Sequence, residues 1–123
     1  MTIIPNRKKW SKYFAEFNER NKLRPTWLQI LNSNRPYSES RDLPLLGVSL
    51  EEKGTDAPCL QISLGDDHLG SRHLTHTING LKSLTIQLGL DGREESVEFI
   101  DKGGTASLLV FRHRSKMAAH AHA

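Results

Sequence analysis

Three histidines lie within nine positions of one segment, HLGSRHLTHTI, which covers residues 68–78. Imidazoles this close together can hold a metal ion, and one of them can act as a general base when a carboxylate orients it. A catalytic zinc ion needs three protein ligands that converge at about 2 Å. The conformation of the segment therefore decides which chemistry is open to His68, His73 and His76.

The residues HLTHTI (73–78) alternate in polarity, which predicts a β-strand. On a strand, His73 and His76 point to opposite faces, and their Cα atoms are separated by roughly 10 Å. His68 precedes the strand in the turn-like stretch GDDHLGS. The spacing thus predicts no metal site, and no motif in the chain indicates a cofactor.

His76 is the first candidate for acid–base chemistry, and it shares its predicted face with Leu74 and Ile78. These apolar neighbours favour a core histidine that hydrogen-bonds to a backbone carbonyl or a carboxylate. The alternative is a general base or pH switch that Asp42 or Asp67 orients.

Charged residues that directly precede a predicted strand are further site candidates. Arg41 and Asp42 lie at the entrance of one strand, where a contact from Asp42 to His73 or His76 would join two segments. A salt bridge that pins a loop to the sheet explains the same pair without a ligand. In the alternative of a ligand site, Arg41 and Arg72 are the binding candidates and His73 is a further catalytic candidate.

The sequence predicts a single well-defined helix at residues 7–21, RKKWSKYFAEFNERN. Trp10, Phe14 and Phe17 recur at i, i+4 and i+7 and form one apolar stripe. Asn6 can cap the first turn. An aromatic stripe at this spacing is typical of a core anchor.

Beyond residue 25 the hydrophobic period changes from about 3.6 to 2, which indicates strands. The stretch NSNRPYSES (32–40) is rich in Ser, Asn and Pro and predicts a mobile loop. Asp91-Gly92 and Gly103-Gly104 predict tight hairpins in which both turn residues adopt positive φ. The predicted strands lie around residues 26–31, 46–50, 60–64, 73–78, 84–90, 94–101 and 105–111.

One helix cannot cover both faces of so large a sheet. We therefore expect an α+β fold, in which an N-terminal helix packs on a strongly curved antiparallel sheet of about seven strands, barrel-like or in two layers. We expect residues 1–112 to form a single domain and residues 113–123 to form a flexible tail.

The composition is that of a globular protein, with 37% hydrophobic and 25% charged residues. The lone Cys59 fits a reducing compartment and predicts a buried or edge-strand thiol. No apolar run has the length of a signal peptide or a membrane span, so we expect a soluble cytoplasmic protein. Acidic residues near the predicted turns indicate a solvated sheet edge; they are Asp66, Asp67, Glu94, Glu95 and Glu98.

Positive charge is concentrated near the N-terminus. Residues 1–36 hold eight Lys/Arg against two acids, whereas residues 37–123 hold nine against twelve. This face can attract an anion or an acidic partner through Lys8, Lys9 and Lys12, although a solvated helix face has the same composition. Nucleic-acid binding is disfavoured because the strands carry few aromatic residues for base stacking.

Three segments, in this order along the chain, carry a resemblance: IPNRKKWSKYFAEFNERN, RDLPLLGVSLEEKG and LGDDHLGSRHLTHTI. Together they resemble a family of small bacterial proteins known as a domain of unknown function, over residues 4–112. The resemblance implies a self-contained bacterial domain and implies no activity, cofactor or partner. The matching positions are Trp10, Phe14, Phe17, Arg41 to Leu45 and His73 to Ile78.

The chain lacks a complete catalytic constellation, which favours a non-enzymatic binding or accessory domain that can self-associate through a sheet edge. A small ligand-binding barrel or enzyme that uses Asp42 and His76 is the second hypothesis. Anion or nucleic-acid binding through the basic helix is the third. The sequence identifies no physiological partner and indicates no membrane association.

Overall fold

The computed structural model describes residues 1–32, 35–65 and 73–112, with the backbone alone for residues 35–41. Within these ranges the chain forms eight β-strands, one α-helix and a short 3-10 turn at Arg7–Lys9 that leads into the helix. The elements are β1 (Thr2–Ile3), α1 (Trp10–Asn21), β2 (Pro25–Asn32), β3 (Arg35–Glu51), β4 (Cys59–Gly65), β5 (His73–Ile78), β6 (Leu81–Leu88), β7 (Glu94–Asp101) and β8 (Ala106–Phe111).

The eight strands form one antiparallel sheet in the order β1-β6-β7-β8-β2-β3-β4-β5. The first half of β3 pairs with β2 and its second half pairs with β4. This strand therefore connects strands β4 and β5 to the rest of the sheet. Register shifts at Thr26/Trp27 and at Leu45/Gly47 mark bulges, which bend a strand and increase its twist. The predicted α+β fold with a strongly curved sheet is thus confirmed, and β1 is a strand that the sequence did not indicate.

The helix packs on this sheet through the predicted aromatic stripe. Trp10, Phe14 and Phe17 are all buried, which confirms them as core anchors. Phe14 stacks on Phe99 of β7, and Phe17 contacts Phe111 of β8, with ring centroids 6.2 and 5.8 Å apart. The helix is therefore fixed above the middle of the sheet.

Both ends of the sheet contribute to one core. Leu60, Ile62 and Leu64 of β4 are fully buried, as their alternation predicts, and they belong to the same cluster as Ile86 and Val97. Among the described residues, the single α-helix has 12 residues, fewer than a helix needs to span a lipid bilayer.

The prediction of a loop at residues 32–40 is wrong at Asn32, which ends β2, and over residues 35–40, which belong to β3 and pair with β2 from Leu28 to Asn32. Local composition favours a turn, but the ladder of backbone hydrogen bonds to β2 outweighs it. Residues 33–34 and the predicted tail at 113–123 lie outside the described residues.

The predicted hairpins are present with a different turn geometry. At the first, Gly92 N donates to Gly89 O at 3.0 Å, and Gly92 has φ +81° whereas Asp91 does not adopt positive φ. The prediction that both turn residues have positive φ is therefore wrong, because the turn is longer than two residues. Leu90, predicted to continue β6, lies in this turn and is fully exposed.

Candidate binding cleft

A cleft of about 280 Å³ lies between α1 and the N-terminal segment. Its helical wall follows one stripe at i, i+3, i+4 and i+7, next to the stripe that faces the core. Its other wall is the apolar segment Ile3–Pro5. We call this feature the α1–β1 cleft; its lining residues are Ile3, Ile4, Pro5, Lys9, Lys12, Tyr13 and Glu16.

The apolar wall is fixed to the sheet and to the helix. Ile3 pairs with Ile86 of β6, and Leu88 N donates to Met1 O at 2.8 Å. At the other end of the segment, the indole Nε1 of Trp10 donates to Pro5 O at 3.1 Å. The segment is therefore held at both ends.

The helical wall is fixed by a buried carboxylate on β7. Glu94 is 2% exposed, and its carboxylate accepts hydrogen bonds from Tyr13 Oη at 2.7 Å, Arg20 Nη2 at 2.6 Å and Asn21 Nδ2 at 3.1 Å. We call these four residues the Glu94 cluster. The prediction that Glu94 lies on a solvated edge is wrong, because the donors of α1 replace water around it.

The protonation equilibria of the cluster follow from these contacts. Burial by itself raises the pKa of Glu94, but the hydrogen bonds from Arg20, Tyr13 and Asn21 outweigh it and lower the pKa from 4.5 to about 2. Burial, reinforced by the Glu94 carboxylate, raises the pKa of Tyr13. The same carboxylate, through its hydrogen bond, raises the pKa of Arg20. Glu94 is therefore ionised and Tyr13 is neutral at physiological pH.

Two of the three predicted anion-binding lysines, Lys9 and Lys12, line the α1–β1 cleft, and Lys8 is exposed on the preceding turn. The charge count indicated this face, and the spacing of Lys9, Lys12, Tyr13 and Glu16 could have indicated one stripe. Nothing local indicated the apolar wall opposite. The cleft presents two ammonium groups beside an apolar surface, which suits a partner with both carboxylates and an apolar group.

The structure places His73 and His76 on opposite faces of β5, as the alternation predicts. His73 is exposed, whereas His76 is half-buried, and its Nε2 lies 3.0 Å from Ser107 Oγ on β8. A hydroxyl within hydrogen-bond reach of an imidazole is the start of a nucleophile–base pair. Ser107 is 2% exposed, however, so a substrate cannot reach its Oγ, and the contact ties β5 to β8.

Asp42 forms an ion pair at the end of β8. Its carboxylate lies 3.8 Å from Arg112 Nε, and its side chain is 65% exposed. Its φ of +58° is at the bulge opposite Thr26 and Trp27. This ion pair between β3 and the end of β8 agrees with the alternative of a salt bridge that pins the strand entrance.

The remaining candidates divide between described and undescribed residues. Cys59 is half-buried, and its Sγ donates to Asn79 Oδ1 at 3.3 Å. In residues 1–32, 35–65 and 73–112, no three His, Cys, Asp or Glu side chains are grouped to hold a metal ion. The candidates His68, Asp67 and Arg72, together with the side chain of Arg41, lie outside the described residues.

No family model, curated protein or solved structure matches the chain. The resemblance to the bacterial family of unknown function therefore stays a prediction.

Proposed function

We propose that this protein is a small non-enzymatic binding domain that captures an acidic segment of a partner protein in the α1–β1 cleft. The observation that carries the proposal is the pairing of Lys9 and Lys12 with an apolar wall of three residues, Ile3 to Pro5. Charge complementarity defines the partner as acidic, and the wall requires an apolar group between its carboxylates.

The size of the cleft favours a protein segment over a small molecule. Pockets for small ligands usually measure about 300–1,000 Å³ and enclose most of the ligand. A volume of about 280 Å³ is at the lower limit of that range and accommodates one or two apolar side chains. Such a cleft serves as the anchor point of a larger interface.

The interior offers less support for the hypothesis of a ligand-binding barrel. Side chains from both ends of the sheet fill the described interior, and Leu28, Ile62 and Val97 each have an exposed fraction of 0%. Binding at the surface of the domain is consistent with this packing.

The lysines also orient the partner. Glu16 lies seven residues after Lys9, the last residue of the 3-10 turn, a distance of about 10 Å along the axis of α1. A carboxylate near Glu16 would be repelled, so we expect at least one of the partner's acidic residues at the end of the cleft that carries Lys9 and Lys12.

The test is the binding of a fluorescein-labelled synthetic peptide, Asp-Thr-Phe-Thr-Asp, measured by anisotropy at low salt. Exposed ion pairs contribute about 0.2–1 kcal/mol each, and charge reversal replaces attraction with repulsion. We therefore expect the double variant Lys9→Glu/Lys12→Glu to bind about tenfold more weakly.

The matched control is Lys82→Glu/Lys102→Glu, which changes the net charge equally on exposed residues outside the cleft. We expect it to bind within about twofold of the wild type. An equal loss of affinity in the two double variants would mean that net charge, and not the cleft, causes the weaker binding. Absence of peptide binding to the wild type at low salt would overturn the proposal.

The single cysteine and the absence of a membrane-spanning helix among the described residues also support a proposal that the protein acts in the cytoplasm. The order of the three segments along the chain, the first of which contains the tryptophan–phenylalanine helix, supports our further proposal that the chain belongs to the bacterial family that it resembles.

A further inference from the structure

The backbone of the N-terminal segment has two edges, and its hydrogen bonds to β6 show which residues face each one. Leu88 N donates to Met1 O, and the register continues with Thr2 opposite Gln87 and Ile3 opposite Ile86. In an antiparallel pair, hydrogen-bonded and non-hydrogen-bonded residues alternate. Met1 and Ile3 therefore bond to β6, and the backbone groups of Thr2 and Ile4 point away from it.

This outer edge is open in the part of the chain that the structure describes. β1 is the terminal strand of the sheet order, and its pairing there is with β6. Thr2 and Ile4 are exposed, and the exposed fraction of Ile4 is 71%. Unpaired N–H and C=O groups on a terminal strand are a template for an added strand.

The charges next to β1 select what can be added. A second copy of the chain, paired edge to edge, would bring its own Lys9 and Lys12 towards the same lysines, and like charges disfavour that approach. An acidic segment meets the opposite sign. The same lysines therefore protect the edge against self-pairing and attract a partner of negative charge.

We propose that the partner segment binds as an extended strand on the outer edge of β1, opposite Thr2 and Ile4, with one apolar side chain in the α1–β1 cleft. This inference rests on the proposed function and specifies its binding mode. Alternate side chains of a strand share a face, so residues two positions before and after the apolar one lie on the side of the lysines. The motif recognised is then acidic-x-apolar-x-acidic.

The experiment compares Ile4→Ala with Ile4→Pro, using the Asp-Thr-Phe-Thr-Asp peptide as the probe. Both substitutions remove the isoleucine side chain, but proline also removes the outward N–H, and it favours the extended backbone that residue 3 already has. We expect Ile4→Pro to bind about fivefold more weakly than Ile4→Ala, in line with the loss of one hydrogen bond. Thermal unfolding of both variants checks that they remain folded.

Amide hydrogen exchange, followed by NMR, gives a second readout that does not depend on the variants. Bound peptide should slow the exchange of the Thr2 and Ile4 amides, and leave the amide of Ile3, already bonded to β6, unchanged. Equal affinities of the two variants and no slowing at Thr2 and Ile4 would refute strand addition while the cleft proposal stands. Failure of the wild type to bind the peptide would overturn both.

Discussion

Replacing Glu94 with glutamine removes the negative charge at the centre of the Glu94 cluster and keeps the shape of the side chain. In the folded protein the pKa of Glu94 is about 2, against an ordinary value of 4.5. A lowered pKa means that the native state favours the ionised carboxylate, so ionisation stabilises the fold. The variant loses this contribution.

The magnitude follows from the two pKa values. Their difference corresponds to about 3 kcal/mol of stability, present in full well above pH 4.5. As the pH falls from about 5 towards 2, the carboxylate takes up a proton in the unfolded chain, where its pKa is about 4.5, before it does so in the folded protein, so the contribution is progressively lost. We expect the variant to be less stable by about 3 kcal/mol at pH 7 and by about 1 kcal/mol at pH 3.

The assay is urea unfolding at several pH values between 7 and 3, followed by tryptophan fluorescence, because Trp10 is buried at the start of the helix that carries Tyr13, Arg20 and Asn21. The other acidic groups titrate in both proteins, so their effects cancel in the difference. Glu19→Gln, an exposed change on the same helix, is the control and should alter stability by less than about 0.5 kcal/mol. A Glu94→Gln effect that stays constant with pH, or is absent at pH 7, would refute the assignment of charged hydrogen bonds to this carboxylate.

Two further predictions concern the residues that hold the helix. Leu23 follows α1 with φ +68°, a conformation that costs leucine more than glycine, and its side chain is mostly exposed. We therefore expect Leu23→Gly to raise the free energy of unfolding in urea by about 0.5–1 kcal/mol. The control Lys22→Gly, at a position where φ is negative, should lower it. Asn18 donates to Val48 O and accepts from Val48 N at 2.9 and 2.8 Å, so Asn18→Ala should lower the unfolding free energy by about 2 kcal/mol. Glu19→Ala, at an exposed position of the same helix, should change the unfolding free energy little. Equal effects of Asn18→Ala and Glu19→Ala would contradict the role of the Asn18 side-chain amide.

The local features of the fold were accessible from the sequence because each depends on residues that are close along the chain. The stripe of Trp10, Phe14 and Phe17 records the helical period, and the alternation at residues 60–64 records the strand period. Residues 35–40 were not accessible, because their composition is that of a loop. Their strand conformation depends on pairing with β2, which composition cannot report.

Only the charged half of the candidate site could be predicted from the sequence. Lys9 and Lys12 follow from the charge count, whereas the wall at Ile3–Pro5 depends on pairing with β6, more than eighty residues further along. Glu94 was equally hidden, since a glutamate beside a turn is usually solvated. Its burial arises because α1 directs three hydrogen-bond donors at one point of β7.

The two walls of the cleft are attached to neighbouring points of the same sheet. Leu88 of β6 donates to Met1 O on one side and stands opposite Glu94 of β7 on the other. The carboxylate of Glu94 accepts a hydrogen bond from the hydroxyl of Tyr13, and Tyr13 lines the cleft. The separation of the walls is therefore determined by adjacent strands, which are paired with each other over their length. In the binding mode that we propose, the partner would meet a cleft that is already formed, so little of its binding energy would be lost in ordering the walls, and two lysines and a short edge could suffice for recognition.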